Sequence, residues 1–235
     1  MEMSRNRRAL YYVIFILSFT ALFYVAEIIH MFDVGGVFNT SGDKIFQKIE
    51  YGYTNEFLIN MCKWGWYGLV YIGAFFYTRK FLVLKDIDQR PKELPLSRVL
   101  VLYGTVVLFI FIVTACLNFK VKVVYDLGEN ITSYDVSNRI STILTGVVKM
   151  PMIVLIIRYV HELVRLYAKK NYLNMIPFGG IYTLLAFGIY DLIVSGVSTI
   201  SIVFLFLHLI YGLIYFISYR NYIITCVVNA ILHVL

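Results

Sequence analysis

A hydrocarbon layer about 30 Å thick takes roughly 20 helical residues to cross, at about 1.5 Å each. This chain offers such a length six times over. The apolar runs are Ala9 to Ile29, about Phe57 to Tyr77, Val99 to Leu117, about Ile143 to Val160, Ile176 to Val197 and Ile200 to Tyr219. A seventh, Tyr222 to Leu235, has 14 residues and reaches only about 21 Å. The residues are 60% hydrophobic and 15% charged, where an ordinary globular domain has about 45–50% and about 25%. There is too little polar surface to clothe such a core in water, which excludes a soluble enzyme domain, a collagen and a disordered chain. The expectation is an all-α polytopic transmembrane helix bundle, a single membrane domain over residues 1–235 with six full spans plus a short C-terminal seventh. The first run is too long for a signal peptide and lacks a small-residue cleavage pattern, so it reads as a retained helix.

Basic residues give that bundle a direction. Arg5, Arg7 and Arg8 precede the first run, and Arg79, Lys80, Lys85, Arg90, Lys92 and Arg98 lie between the second and third. Arg158, Arg165, Lys169 and Lys170 close the fourth, and Arg220 follows the sixth. Fourteen basic groups therefore share one side, against five on the other: Lys44, Lys48, Lys120, Lys122 and Arg139. The positive-inside rule then predicts a cytoplasmic N-terminus. The net charge of +7 is an orientation signal whose natural partner is anionic lipid, and nucleic acid is not needed. Two outer loops, 31–56 and 118–140, have room for some structure, including a short interfacial helix over Thr40 to Glu50. Cys62, Cys116 and Cys226 lie in apolar stretches and read as buried small hydrophobes rather than a disulfide framework.

Ionisable side chains inside apolar runs are costly, about 2.5–3.5 kcal/mol each near the bilayer centre on insertion scales. Lys149 has a stem long enough to reach an interface. Glu27 and His30 stand three apart near the end of the first run, as an interfacial pair. Arg158, His161, Glu162 and Arg165 form an ion-pair cluster at the end of the fourth. Asp191, His208 and His233 fall deeper, and Asn229 lies one turn before His233 on the same face. These four are expected to converge in one intramembrane polar pocket. There they could bind a metal, relay a proton, hold a water or clamp helices together. None of the familiar zinc-protease, hydrolase or NTPase signatures occurs, and no metal or cofactor is expected.

From Arg158 to Leu235 the chain resembles the core of the CPBP family, the CAAX-protease and bacteriocin-processing intramembrane proteases. In that family one helix carries Glu-Glu-x-x-x-Arg, the next Phe-x-x-x-His, and the last His-x-x-x-Asn. Here Tyr159-Val160-His161-Glu162-Leu163-Val164-Arg165 stands at the first motif and Phe187-Gly188-Ile189-Tyr190-Asp191 at the second. Asn229-Ala230-Ile231-Leu232-His233 resembles the closing helix. His161 replaces the first Glu, Arg165 comes one place early, and Asp191 replaces the His. The resemblance implies general-base chemistry in which a carboxylate activates water beside histidines, and here Glu162, His208 and His233 would be the catalytic set.

With one carboxylate and one histidine exchanged, the expectation is a decayed core that acts by binding, as an immunity, peptide-maturation or defence component. The partner would be a membrane protein or peptide, or a second copy of the chain, and the location the cytoplasmic membrane of a bacterium. The alternatives are a working intramembrane peptidase and a pore or transporter subunit in which Asp191 and the two histidines form a proton or ion path.

Overall fold

The computed structural model describes residues 4–34, 55–82, 95–116, 133–168, 176–195 and 199–234, and the elements among them are all helical. Helix α1 is Arg5–Val34, and α2 is Asn55–Tyr77, which widens into a π-helical turn at Thr78–Leu82. Next come α3, Leu96–Cys116, and α4, Ser133–Tyr167. A broken stretch follows, with α5 at Phe178–Thr183, a π-helical turn at Leu184–Gly188 and α6 at Ile189–Ser195. The last two helices are α7, Thr199–Ile217, and α8, Tyr222–Val234.

Each of the seven apolar runs is thus largely helical among the described residues. Arg5–Ala26, Leu96–Ala115 and Ile143–Tyr167 are long and apolar enough to cross a membrane. Phe178–Gly188, Leu205–Ile217 and Tyr222–Val234 are shorter apolar helices. The second outer loop is smaller than expected, because α4 already begins at Ser133. Thr40 to Glu50 lies outside the described residues.

Helix α4 is the axis of the bundle. It packs against α1, α2, α5, α7 and α8, and a helix surrounded in this way must be apolar on every side. Met150, Ile153, Val154, Ile156, Ile157 and Tyr159 are all at most 1% exposed. Pro151 leaves a backbone acceptor without its usual donor, yet α4 runs through it unbroken. Two tyrosines serve carbonyls beside it: Tyr71 donates to Val148, and Tyr222 donates to Pro151 at 3.2 Å. Both bonds tie neighbouring helices to α4 around the proline.

Hydrogen bonds stitch the other helices to this axis. Asn60 donates to Ser141 at 2.8 Å and the Trp64 indole to Thr145 at 2.7 Å, both between α2 and α4. The Trp66 indole donates to the Leu22 carbonyl at 2.9 Å, joining α2 to α1. Small residues bring α5 close to its neighbours. A Cβ on Gly212 would lie 2.4 Å from the Gly180 Cα, and a Cβ on Gly179 would lie 2.4 Å from the Ile157 carbonyl oxygen. Close backbone approach through glycine is the usual packing device where lipid removes the hydrophobic drive for helices to associate. Helix α3 is the opposite case. It touches α7 and α8 along one edge, and Leu100, Tyr103, Leu108 and Phe111 are each at least 60% exposed, as a lipid-facing helix would be.

Candidate functional site

Two polar regions stand out in this apolar bundle. The first is held by α4, α7 and α8. His208 and Tyr211 are three residues apart on α7, so they share a face. Their rings meet edge to face with centroids 5.6 Å apart. The Tyr211 hydroxyl is 3.2 Å from Nδ1 of His233, which α8 carries inward. Which atom donates depends on the imidazole tautomer. On its other side the His233 ring lies over Gly146 of α4, where a Cβ would fall 1.8 Å from Nε2. Only glycine leaves room for an imidazole at that point.

Asn229, one turn before His233, is fully buried, and neither atom of its amide has a hydrogen-bond partner among the described residues. His208 also packs on Phe187, with centroids 6.0 Å apart, and a Cβ on Gly188 would lie 3.2 Å from its Cδ2. Both of those residues belong to the π-helical turn, whose wider winding upsets the regular carbonyl ladder. The Tyr24 hydroxyl accordingly donates to the Ala186 carbonyl. Irregular helix beside buried polar side chains is a frequent setting for function.

Tyr211 thus stands between His208 and His233, and Asn229 is buried one turn before His233. Asp191 is on α6, but its side chain lies outside the described residues. The Glu27 and His30 side chains also lie outside them. Tyr211, which links the two histidines, was missed in the sequence. Its i, i+3 spacing from His208 was the available signal.

The second region is the basic end of the bundle, where the expected four-residue cluster divides. Arg165 donates to both carboxylate oxygens of Glu162, at 2.9 and 3.2 Å, on the outside of α4. His161 turns inward instead, 1% exposed. Its ring stands edge-on to Phe216 at 5.3 Å and to Tyr215 at 6.3 Å. Arg158 is also buried, at 6% exposure. Lys149 lies far from this end, half-buried with its ammonium 5.7 Å from the Phe23 ring centre, a cation–π contact.

The catalytic set inferred from the family resemblance does not assemble. Glu162 is the one carboxylate whose side chain is described, and it is paired with Arg165. His233 sits on Gly146 of the same helix, and sixteen residues of α4 separate that point from Glu162, about 24 Å along the axis. No group of three His, Cys, Asp or Glu side chains among the described residues could hold a metal ion. What the α4–α7–α8 cluster can do chemically is exchange a proton between Tyr211 and His233.

No family model, curated protein or solved structure matches this chain.

Proposed function

We propose that this chain is an integral membrane protein that acts by binding, built on a degenerate CPBP-like core that no longer performs peptide hydrolysis. The observation that carries this reading is the separation of Glu162 from the histidines. A general base must come within hydrogen-bond reach of the water it activates. Here Glu162 is engaged by Arg165, and the His233 imidazole is covered by Gly146 on one face and bonded to Tyr211 at its Nδ1. Tight packing of this kind supports a rigid scaffold, with six spans and a short seventh presenting their outer surfaces to a membrane protein, a peptide or another copy. Immunity, peptide maturation and defence are the settings that the resemblance favours, at the cytoplasmic membrane of a bacterium with the N-terminus inside.

The test uses purified protein in liposomes loaded with quenched peptide substrates. Hydrolysis is expected to stay at background for the wild type and for Glu162→Gln alike. Turnover that disappears in Glu162→Gln would end the binding proposal in favour of a peptidase. A second reading rests on the Tyr211–His233 bond and the buried Asn229 amide, which together resemble part of a proton path. The same liposomes carrying a pH-sensitive dye decide it. A proton leak abolished by Tyr211→Phe supports a path, and a leak no greater than that of empty vesicles rejects it.

A further inference from the structure

The stretch from Phe178 to Ser195 lies between α1 and α7, and one bond sets its winding. The Ile189 amide donates to the Leu184 carbonyl, five residues back rather than four. The turn at Leu184–Gly188 therefore holds one residue more than an α-helical turn. An extra residue changes which side chains share a face. Residues eight apart in an unbroken α-helix stand about 80° beyond two full turns, at about 100° per residue. With one residue absorbed by the turn they count as seven steps and come within about 20° of alignment.

Both faces of the stretch use that alignment. Gly180 and Gly188 are eight residues apart, and both press on α7. A Cβ on Gly180 would lie 2.9 Å from the Gly212 Cα, and one on Gly188 would lie 2.9 Å from Cδ1 of Leu205 and 3.2 Å from Cδ2 of His208. Tyr182 and Tyr190 are also eight apart, and both meet α1. The Tyr182 hydroxyl is 3.0 Å from that of Thr20, and the Tyr190 ring stands edge-on to Tyr24 at 5.0 Å. Straightening the turn would swing one member of each pair about 100° out of contact.

Between those two tyrosines, the Tyr24 hydroxyl donates to the Ala186 carbonyl inside the turn. Thr20 and Tyr24 are one turn apart on α1, so α1 grips the stretch before, within and after its irregular winding. Phe187, also in the turn, is 1% exposed. Its ring centre is 4.3 Å from that of Phe23 on α1 and 6.0 Å from that of His208 on α7. His208 meets Tyr211, whose hydroxyl reaches His233. A continuous line of contacts thus runs from α1 through the turn to both histidines.

We propose that the turn at Leu184–Gly188 is a two-register switch, latched by the Tyr24 hydroxyl, that sets where Phe187 and Gly188 stand against His208. The latched register is the one described above. In the other, the extra residue passes on toward Ser195, Gly188 rotates by about 100° and carries Phe187 with it, and His208 loses both neighbours. Moving an extra residue along a helix exchanges one set of backbone bonds for a similar set, so the Tyr24 bond weighs heavily in the balance. The switch couples α1 to the histidines in a binding scaffold and in a proton path alike.

Hydrogen exchange and histidine NMR on the full chain in detergent micelles test this. Tyr24→Phe keeps the ring and removes the hydroxyl. Exchange of the amides from Leu184 to Ser195 is expected to rise about fivefold, as for the loss of one hydrogen bond. The His208 imidazole resonance, assigned through His208→Gln, is expected to shift or broaden, while that of His161 at the basic end stays in place. Deleting Leu185, which is 56% exposed, removes the extra residue and leaves an α-helix with both pairs still aligned. That variant is expected to fold, to exchange more slowly than wild type across the stretch, and to keep its protection when combined with Tyr24→Phe. The proposal is overturned if Tyr24→Phe exchanges like wild type or leaves the His208 signal unmoved. It is equally overturned if the deletion variant does not fold, or if the combined variant exchanges as fast as Tyr24→Phe alone.

Discussion

The crossing of α5 and α7 is the contact whose perturbation can be worked most directly. A Cβ on Gly212 would lie 2.4 Å from the Gly180 Cα and 2.5 Å from its nitrogen. Non-bonded carbons rest at about 3.5–4.0 Å, so Gly212→Ala asks two backbones to part by roughly 1 Å. Neither atom can swing aside, because both belong to the main chain of a helix. The displacement reaches Thr183, whose hydroxyl lies 3.1 Å from the Gly180 carbonyl and 3.3 Å from that of His208. Overpacking costs about 1–3 kcal/mol, and a backbone clash belongs at the top of that range. Alanine returns about 1 kcal/mol of helix propensity, leaving a net loss of about 2 kcal/mol. At about 2–4 °C per kcal/mol, the melting temperature should fall by roughly 4–8 °C. Gly104→Ala is the matched control, since nothing lies within 4 Å of the Cβ it would add. There only the propensity gain of about 1 kcal/mol remains, so the protein should melt slightly higher. Circular-dichroism melts of the two variants in one detergent decide the matter. If Gly212→Ala melts no lower than Gly104→Ala, α5 and α7 do not touch backbone to backbone.

Asn229→Leu replaces a fully buried amide lacking hydrogen bonds with an apolar group of similar size, and should raise stability by about 1–3 kcal/mol. A lower melting temperature would mean that the amide has a partner, such as an ordered water, in the membrane. Trp64→Phe and Thr145→Val each remove one side of the 2.7 Å bond between α2 and α4. A double-mutant cycle should return a coupling of about 0.6–1.7 kcal/mol, and strict additivity would show that the bond contributes nothing.

The helices were legible in the sequence because apolar run length is a one-dimensional property. A stretch such as Ile143 to Val160 must be helical if it lies in lipid, whatever it packs against. Its role as the bundle axis was less visible, since a helix buried on all sides and a helix facing lipid look alike in hydropathy. The runs of α3 and α4 are both strongly apolar, yet 11% of the first candidate span and 61% of the second are buried. The polar residues divide in the same way. The depth of His208, Asn229 and His233 within their runs could be read from the sequence. That Tyr211 lies between the two histidines and Gly146 makes room for His233 could not, because each depends on how two helices are rotated about their axes.

The basic end shows why residue spacing along a helix misleads about partners. Arg158, His161, Glu162 and Arg165 are linked by four i, i+3 or i, i+4 separations, and a spacing argument makes them a single cluster. Glu162 and Arg165 form an ion pair on the outer surface of α4. His161 is one residue from Glu162, about 100° around the helix at 3.6 residues per turn, and that rotation points it at Tyr215 and Phe216 instead. The family motif requires adjacent carboxylates at these two positions to cooperate on one water. An imidazole directed into an aromatic wall beside a carboxylate held by arginine cannot do so.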